Sequence, residues 1–298
     1  MVHPFAIGVD VGGTKLEALL LDAQGHERWR RRVATPQGDY DGTVAAIAAL
    51  VRDARVAADG QNCTVGLGTP GSQTAAGLMK NCNSTCLNGR PLAADLAAAI
   101  GQPVRLANDA NCLALSEATD GAGAGAEVVF AVILGTGCGG GVAVHGRVRP
   151  GPNSRAGEWG HIPLPWRTAA DPDWPCYCGQ RGCLETLLSG TGLARDHAAH
   201  HGGAATAAEI AARAGAGDAA ALATLARHRE RLARALAVVV NLLDPDAIVV
   251  GGGLSRLPGL CEDTWALLPR HVFAAGGGDP LRTHLLPSRH GDSSGVRG

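Results

Sequence analysis

Apolar positions along the first hundred residues change period several times, and each change marks an element. F-A-I-G-V-D at 5–10 and L-E-A-L-L-L at 16–21 are short apolar runs bounded by turn residues, which predicts two buried strands. D-A-Q-G turns the chain into a third strand near 27–33. Over 41–58 the apolar positions recur at helical spacing, with Asp41 or Thr43 placed to cap the helix. C-T-V-G-L-G-T-P-G reads as a strand entering a Pro-Gly turn, 91–100 as a helix, P-V-R-L-A as a strand, and N-D-A-N-C-L-A-L-S-E-A as the opening of another helix.

D-G-A-G-A-G-A-E at 120–127 is a link of small residues, and a domain change is expected there. Beyond it, V-V-F-A-V-I-L-G-T-G-C-G-G-G-V-A-V-H-G repeats the opening layout of apolar strand, glycine loop and apolar strand. The region 150–185 is irregular and rich in Pro, Gly and Trp, and 206–243 is helical and Ala-rich. D-P-D-A-I-V-V-G-G-G reads as a buried strand ending in a glycine turn before a helix near 258–269. Two α/β halves that each begin with the same unit predict a duplicated fold, residues 1–119 and 120–286, with ligands in a cleft between the halves.

Composition narrows the classes. A formal net charge of -1 over 298 residues provides no global field for nucleic acid or an acidic membrane surface. The N-terminal residues carry no basic, apolar leader pattern, and no run approaches the roughly 20 apolar residues of a membrane span. The expectation is a cytoplasmic protein whose nine cysteines are mostly reduced thiols. Lysine occurs only at Lys15 and Lys80, so its place inside a glycine motif carries weight.

That motif, D-V-G-G-T-K at 10–15, is neither a Walker A loop nor a dinucleotide fingerprint, because a strand follows it. Gly12 and Gly13 can turn their N–H groups to phosphates, Thr14 adds a hydroxyl and Lys15 a charge, and Asp10 can hold a hydrated Mg²⁺. A tight hairpin with no ligand fits these residues as well. The second loop, with Gly135, Thr136, Gly137, Gly139 and Gly140, raises the functional reading, since two such loops can hold a triphosphate from both sides. Gly251, Gly252 and Gly253 would let a nucleoside approach the backbone, or simply make a strand-to-helix turn.

R-L-A-N-D-A-N puts Asn108 and Asp109 between a strand and a helix, as cap residues or, for Asp109, as a general base. C-x-C-G-x-x-G-C supplies the thiols Cys176, Cys178 and Cys183, and with His161 in G-E-W-G-H these four would make a closed structural Zn²⁺ set, free or redox-active thiols being the other reading. Such a metal would fix Glu158 and Glu185, either as acceptors for sugar hydroxyls or as two solvated acids on the metal loop.

D-V-G-G-T-K, N-D-A-N, G-T-G-C-G-G-G, E-W-G-H, C-Y-C-G-Q-R-G-C-L-E and D-P-D-A-I-V-V-G-G-G run in family order along nearly the whole chain. In this the sequence resembles bacterial sugar kinases of the ROK family (repressor, open reading frame, kinase). The resemblance implies a duplicated actin-like ATPase (ribonuclease H-like) fold, often dimeric, with ATP and Mg²⁺ in the cleft. It implies that Asp109 deprotonates the sugar hydroxyl. Asn83, Asn108, Asp109, Glu158, His161 and Glu185 would bind the sugar, with His161 offering one ring nitrogen to zinc and the other to a hydroxyl. Asp10 to Lys15 and Gly135 to Gly141 would hold phosphates, and Gly251 to Gly253 the adenosine. Residues from about 287 to 298 would rejoin the first domain.

Within the family, K-N-C-N-S-T-C-L-N-G and W-G-H-I-P-L-P-W resemble fructokinases of the manno(fructo)kinase type, whereas N-acetylglucosamine kinases usually carry N-V-P at Asn83-Ser84-Thr85. The expected activity is phosphorylation of D-fructose to fructose 6-phosphate, with N-acetylglucosamine kinase or glucokinase as alternatives of the same family. A sugar-sensing regulator is a different class, disfavoured because no helix-turn-helix module or basic patch precedes Asp10. A structural or chaperone-like actin relative would not need the zinc motif.

Overall fold

In the computed structural model, which describes residues 4–273, 279–291 and 294–298, the opening apolar runs form an antiparallel meander. Its strands are β1 (Phe5–Val11), β2 (Lys15–Asp22) and β3 (Glu27–Ala34). Ile7, Val9 and Val11 alternate into the core as a strand period requires. β4 (Cys63–Thr69) runs parallel to β1 on its other side. A two-residue ribbon, β5 (Ser72–Gln73) and β6 (Met79–Lys80), follows before β7 (Arg105–Asn108) pairs parallel to β4. The sheet order is β3-β2-β1-β4-β7.

α1 (Tyr40–Ala57) and α2 (Leu92–Ile100) bury Ile47, Leu50, Val51, Leu92 and Leu96 in one core with Ile7, Val9, Leu16 and Leu67. The cap of α1 is Asp39, neither Asp41 nor Thr43 as the sequence suggests. Asp39 accepts a hydrogen bond from the Gly42 N–H at 2.9 Å. Gly38, at φ +73°, turns the chain there, so the helix begins earlier than its apolar spacing indicates.

α3 (Asp109–Thr119) leads to the second sheet. Here β8 (Val128–Leu134), β9 (Cys138–Val144), β10 (Arg147–Val148), β11 (Ala247–Gly251) and β12 (His284–Pro287) lie in the order β10-β9-β8-β11-β12. The two sheets share one plan: an antiparallel three-stranded meander followed by two parallel strands. This repeat is the duplicated actin-like, ribonuclease H-like α/β architecture.

The helices of this half are α4 (Leu184–Leu188), α5 (Gly190–His201), α6 (Ala207–Gly215), α7 (Ala219–Leu243) and α8 (Leu260–Leu267). The helical pattern over 206–243 is two helices, because Gly217 takes φ +85° and Asp218 caps α7 by accepting from the Ala221 N–H at 2.9 Å. Leu187, Leu188, Leu232, Leu236, Ile248 and Val250 sit in its core.

The chain divides into one unit that extends to Leu113 and includes Gly295–Gly298, and another of Ala114–Ser294. The division falls inside α3, and the small-residue link 120–127 and β12 belong to the second unit. Residues 292 and 293, within the expected returning segment, lie outside the described residues. α9 (Ser294–Arg297) lies against β1: a Cβ on Gly8 would come within 1.9 Å of the Val296 carbonyl oxygen, so only glycine fits there. Among the described residues no helix is long and apolar enough to cross a membrane.

Candidate functional site

The first glycine loop is the β1–β2 hairpin. Gly12 donates its N–H to the Lys15 carbonyl at 3.0 Å, and a Cβ on Gly12 would approach that oxygen to 2.8 Å. Thr35, a residue the sequence reading did not single out, steadies the turn. Its hydroxyl donates to the Gly12 carbonyl at 2.7 Å and its N–H to the Thr14 carbonyl at 3.1 Å. Gly13 and Thr14 are exposed at the tip.

Beneath the tip the cross-strand register aligns Asp10, Glu17 and Arg32 in one row. Glu17 is fully buried and pairs with Arg32 at 2.9 Å and Arg30 at 3.3 Å. Asp10 is raised to about 7, by burial first and then by the Asp109 and Glu17 carboxylates, against the pull of Lys15 and Arg32. The first unit therefore gathers Asp10, Asp109 and Glu17 with too little positive charge around Asp10. That excess of carboxylate suits a hydrated Mg²⁺, which Asp10 would hold.

Asn108 and Asp109 divide their work. The Asn108 Oδ1 caps α3, accepting from the N–H groups of Ala110 at 2.9 Å and Asn111 at 3.3 Å, while its amide donates to the Gly71 carbonyl at 3.2 Å. Asp109 Oδ1 accepts from the Ala110 N–H at 2.8 Å, which orients the carboxylate at the helix start. Asn83 is exposed on the segment after β6, and Ser84 lies beside Gly13. Asn88 holds that segment, accepting from the Cys82 N–H at 2.9 Å and donating to the Cys82 carbonyl at 3.0 Å.

In the second unit the β8–β9 hairpin carries Gly135, Thr136, Gly137, Gly139 and Gly140. It holds no charged residue of its own, and Thr136 is exposed. Gly252, at φ +82°, ends β11 so close to the end of β8 that a Cβ would come within 2.6 Å of the Leu134 carbonyl oxygen. Gly253 beside it faces open space.

The cysteine motif closes on itself. The ligand atoms of His161, Cys176, Cys178 and Cys183 all lie within 4.8 Å of one another. His161 Nδ1 is 3.6 Å from the Cys176 Sγ, and the Cys178 and Cys183 Sγ atoms are 3.6 Å apart. Two thiolates at about 2.3 Å from a tetrahedral Zn²⁺ would be separated by about 3.8 Å, so the four donors fit that ion. Burial works against ionisation of Cys178, but the Gln180 N–H and the neighbouring thiols bring it below its ordinary value.

The loop has a second anchor. Asp171 is buried and paired with Arg231 at 3.0 Å and with Arg234 at 2.9 Å, both on α7. His161 departs from expectation in one respect. Its Nε2 is 3.1 Å from the Tyr177 hydroxyl, so with Nδ1 on a metal the ring donates to Tyr177. Tyr177 lies inside the quoted C-Y-C motif, yet its ring gave no signal as a partner for His161. Glu158 is exposed next to the turn that carries His161. Glu185, in the first turn of α4, accepts from the Cys138 N–H at 3.1 Å. Trp159 donates its Nε1–H to the Gly139 carbonyl at 2.8 Å.

Comparison with known proteins places the chain in a family. The family model described as the ROK family matches residues 6–298. An N-acetyl-D-glucosamine kinase of Escherichia coli O6:H1 is 38% identical over 299 residues, covering 98% of this chain and 96% of the relative. A ROK hexokinase from Thermus thermophilus superposes with a TM-score of 0.83 at 31% identity, covering 98% of this chain and 95% of that one. A ROK family glucokinase from Streptomyces griseus, solved in complex with glucose and AMPPNP, superposes with a TM-score of 0.82 at 30% identity, covering 98% and 97%.

Proposed function

Because this chain belongs to the ROK family, we propose that it is an ATP-dependent hexose kinase, moving the γ-phosphoryl group of ATP to a sugar hydroxyl. One observation carries the reading. Glycine hairpins occupy equivalent places in the two sheets, one with Asp10 and Lys15 at its base and the other with only backbone and Thr136 to offer. Phosphoryl transfer asks for positioning and charge neutralisation more than covalent chemistry, and such a pair supplies both.

In this reading Gly12 to Lys15 and Gly135 to Gly140 hold the phosphates, and Gly251 to Gly253 accept the adenosine. Asp10 would carry Mg²⁺, which neutralises phosphate charge when bound. Asp109, set at the start of α3 by Asn108, takes the proton of the attacking hydroxyl. Asn83, Asn108, Glu158 and Glu185 hold the sugar, and His161 joins them only where a sugar hydroxyl displaces the Tyr177 hydroxyl from its Nε2. Zn²⁺ on His161, Cys176, Cys178 and Cys183 is structural, since four protein ligands leave no open position. A homodimer is expected from the family resemblance and is read by light scattering.

For the sugar, the relative at 38% identity favours N-acetyl-D-glucosamine over the D-fructose expected from the sequence, and we take it as the first reading. D-Fructose stays as the second, on the specific ground that Asn83-Ser84-Thr85 stands where N-acetylglucosamine kinases carry N-V-P. The test is kcat/KM for N-acetylglucosamine, fructose, glucose and mannose with ATP and Mg²⁺. The highest value for N-acetylglucosamine upholds the first reading, and a preference for fructose replaces it with the second. Sugar binding without turnover of any hexose would sink the kinase and favour a sensor.

A further inference from the structure

The second glycine loop is gripped by two segments. On one side the turn Trp159–His161 reaches it: Trp159 Nε1 donates to the Gly139 carbonyl at 2.8 Å, and Gly160 packs so tightly that a Cβ would sit 1.9 Å from the Cys138 carbonyl oxygen. On the other side runs the segment from Cys183 to Thr191. Its Glu185 Oε2 accepts from the Cys138 N–H at 3.1 Å, Gly190 donates its N–H to the Gly135 carbonyl at 2.7 Å, and the Thr191 hydroxyl donates to the Thr136 carbonyl at 3.2 Å. These two segments carry His161 and Cys183, which face each other in the Cys/His cluster. The loop itself has neither a charged group nor a disulfide to fix it.

We propose that the Cys/His metal site fixes the second glycine loop as well as the sugar side, with Trp159 and Glu185 as the positioning residues. Nucleotide binding at Gly135–Gly140 then depends on the metal. The proposal rests on the ATP reading of that loop for its consequence, though its geometry does not. A metal joining His161 to Cys183 holds the two jaws at a set separation. Without it the turn Trp159–His161 and the start of α4 are no longer tied together at the cluster, and the N–H groups of the loop lose their aim at a phosphate.

The experiment uses the full metal-loaded chain and Trp159→Phe, which keeps a ring to pack edge-on against Phe130, now 5.6 Å away at 88°, but removes the donor to Gly139. Isothermal titration with AMPPNP is expected to show affinity about five-fold weaker, the size of one hydrogen bond. Hexose affinity and bound zinc should stay unchanged, and amide exchange over residues 137–140 should be faster. Equal AMPPNP affinity and equal exchange in a folded variant would overturn the proposal. In a second arm the wild type is treated with a chelator and the Cys138 amide, held by Glu185, is followed by hydrogen exchange. It should lose protection together with the 176–183 segment, and protection that persists after that segment opens overturns the idea. If the variant does not fold, the chelator arm decides. If the wild type fails to bind AMPPNP, the ATP reading falls while the exchange arm still judges this inference.

Discussion

The two glycine hairpins share a topology and differ in what holds them. The β1–β2 loop stands over the row Asp10, Glu17 and Arg32 and depends on charge. The β8–β9 loop has no charged group and depends on neutral hydrogen bonds from Trp159, Gly190 and Thr191 and on Glu185, from segments that also bear metal ligands. A duplicated scaffold has thus arrived at one shape by two kinds of chemistry. The first loop should respond to pH, and the second to chelators and to damage in the cysteine loop.

The sharpest way to break this contrast is Asp109→Asn. If the acids of the first unit carry the chemistry, kcat falls by roughly 10²–10⁴ while titrations of sugar and nucleotide change little. Turnover near that of the wild type would remove Asp109 from the role of base. Next in size is Asp171→Ala, which takes from buried Arg234 its carboxylate partner and leaves Arg231 only Asp196, and should cost about 3–5 kcal/mol in urea unfolding, chiefly in the second unit. Asp171 is held below the ordinary carboxylate range: burial opposes this, but hydrogen bonds from Arg234, Thr168 and Arg231 outweigh it. Its contribution is therefore present above pH ~4 and fades as the pH drops further toward the folded value. A urea midpoint that matches the wild type would contradict the anchor.

Asp10 has the opposite sign. Its folded pKa of about 7 lies above the unfolded value of 3.8, so its contribution is complete below pH ~4 and lost as the pH rises through 7. In Mg²⁺-free buffer the wild type should lose on the order of 4 kcal/mol over that window, and Asp10→Asn should abolish the loss together with Mg²⁺-dependent turnover. Identical pH profiles for the two proteins would show that the acids do not crowd as described. The smallest effect is Thr35→Val, which removes the hydroxyl donor to Gly12. It should raise KM for ATP about five-fold, the counterpart in the first loop of Trp159→Phe in the second. No change in KM would mean that the hairpin needs no such support.

Much of this was legible from residue order, for identifiable reasons. The strands β1, β2, β4, β8 and β11 are short apolar runs ended by glycine turns, a local signal. The Cys/His cluster was legible because ligand spacing is itself chemistry. Asp39 was passed over as the cap of α1 because Gly38, not apolar periodicity, decides where that helix starts. The break at Gly217 was hidden in an Ala-rich run whose composition suits one helix or two. Trp159, Tyr177 and Thr35 gave no signal, since their partners at Gly139, His161 and Gly12 are met only through tertiary folding. The same holds for β12, four residues that pair with β11.

The short turn α9 on β1 has a consequence for the order of events during synthesis. Gly8 is shaped to receive the Val296 carbonyl, yet residues 114–294 are made between the first unit's main body and that turn. At ordinary elongation rates the gap is about ten to forty seconds. For that interval Gly8 on β1 stays uncovered, and a chaperone or a neighbouring nascent chain can reach it before the tail does.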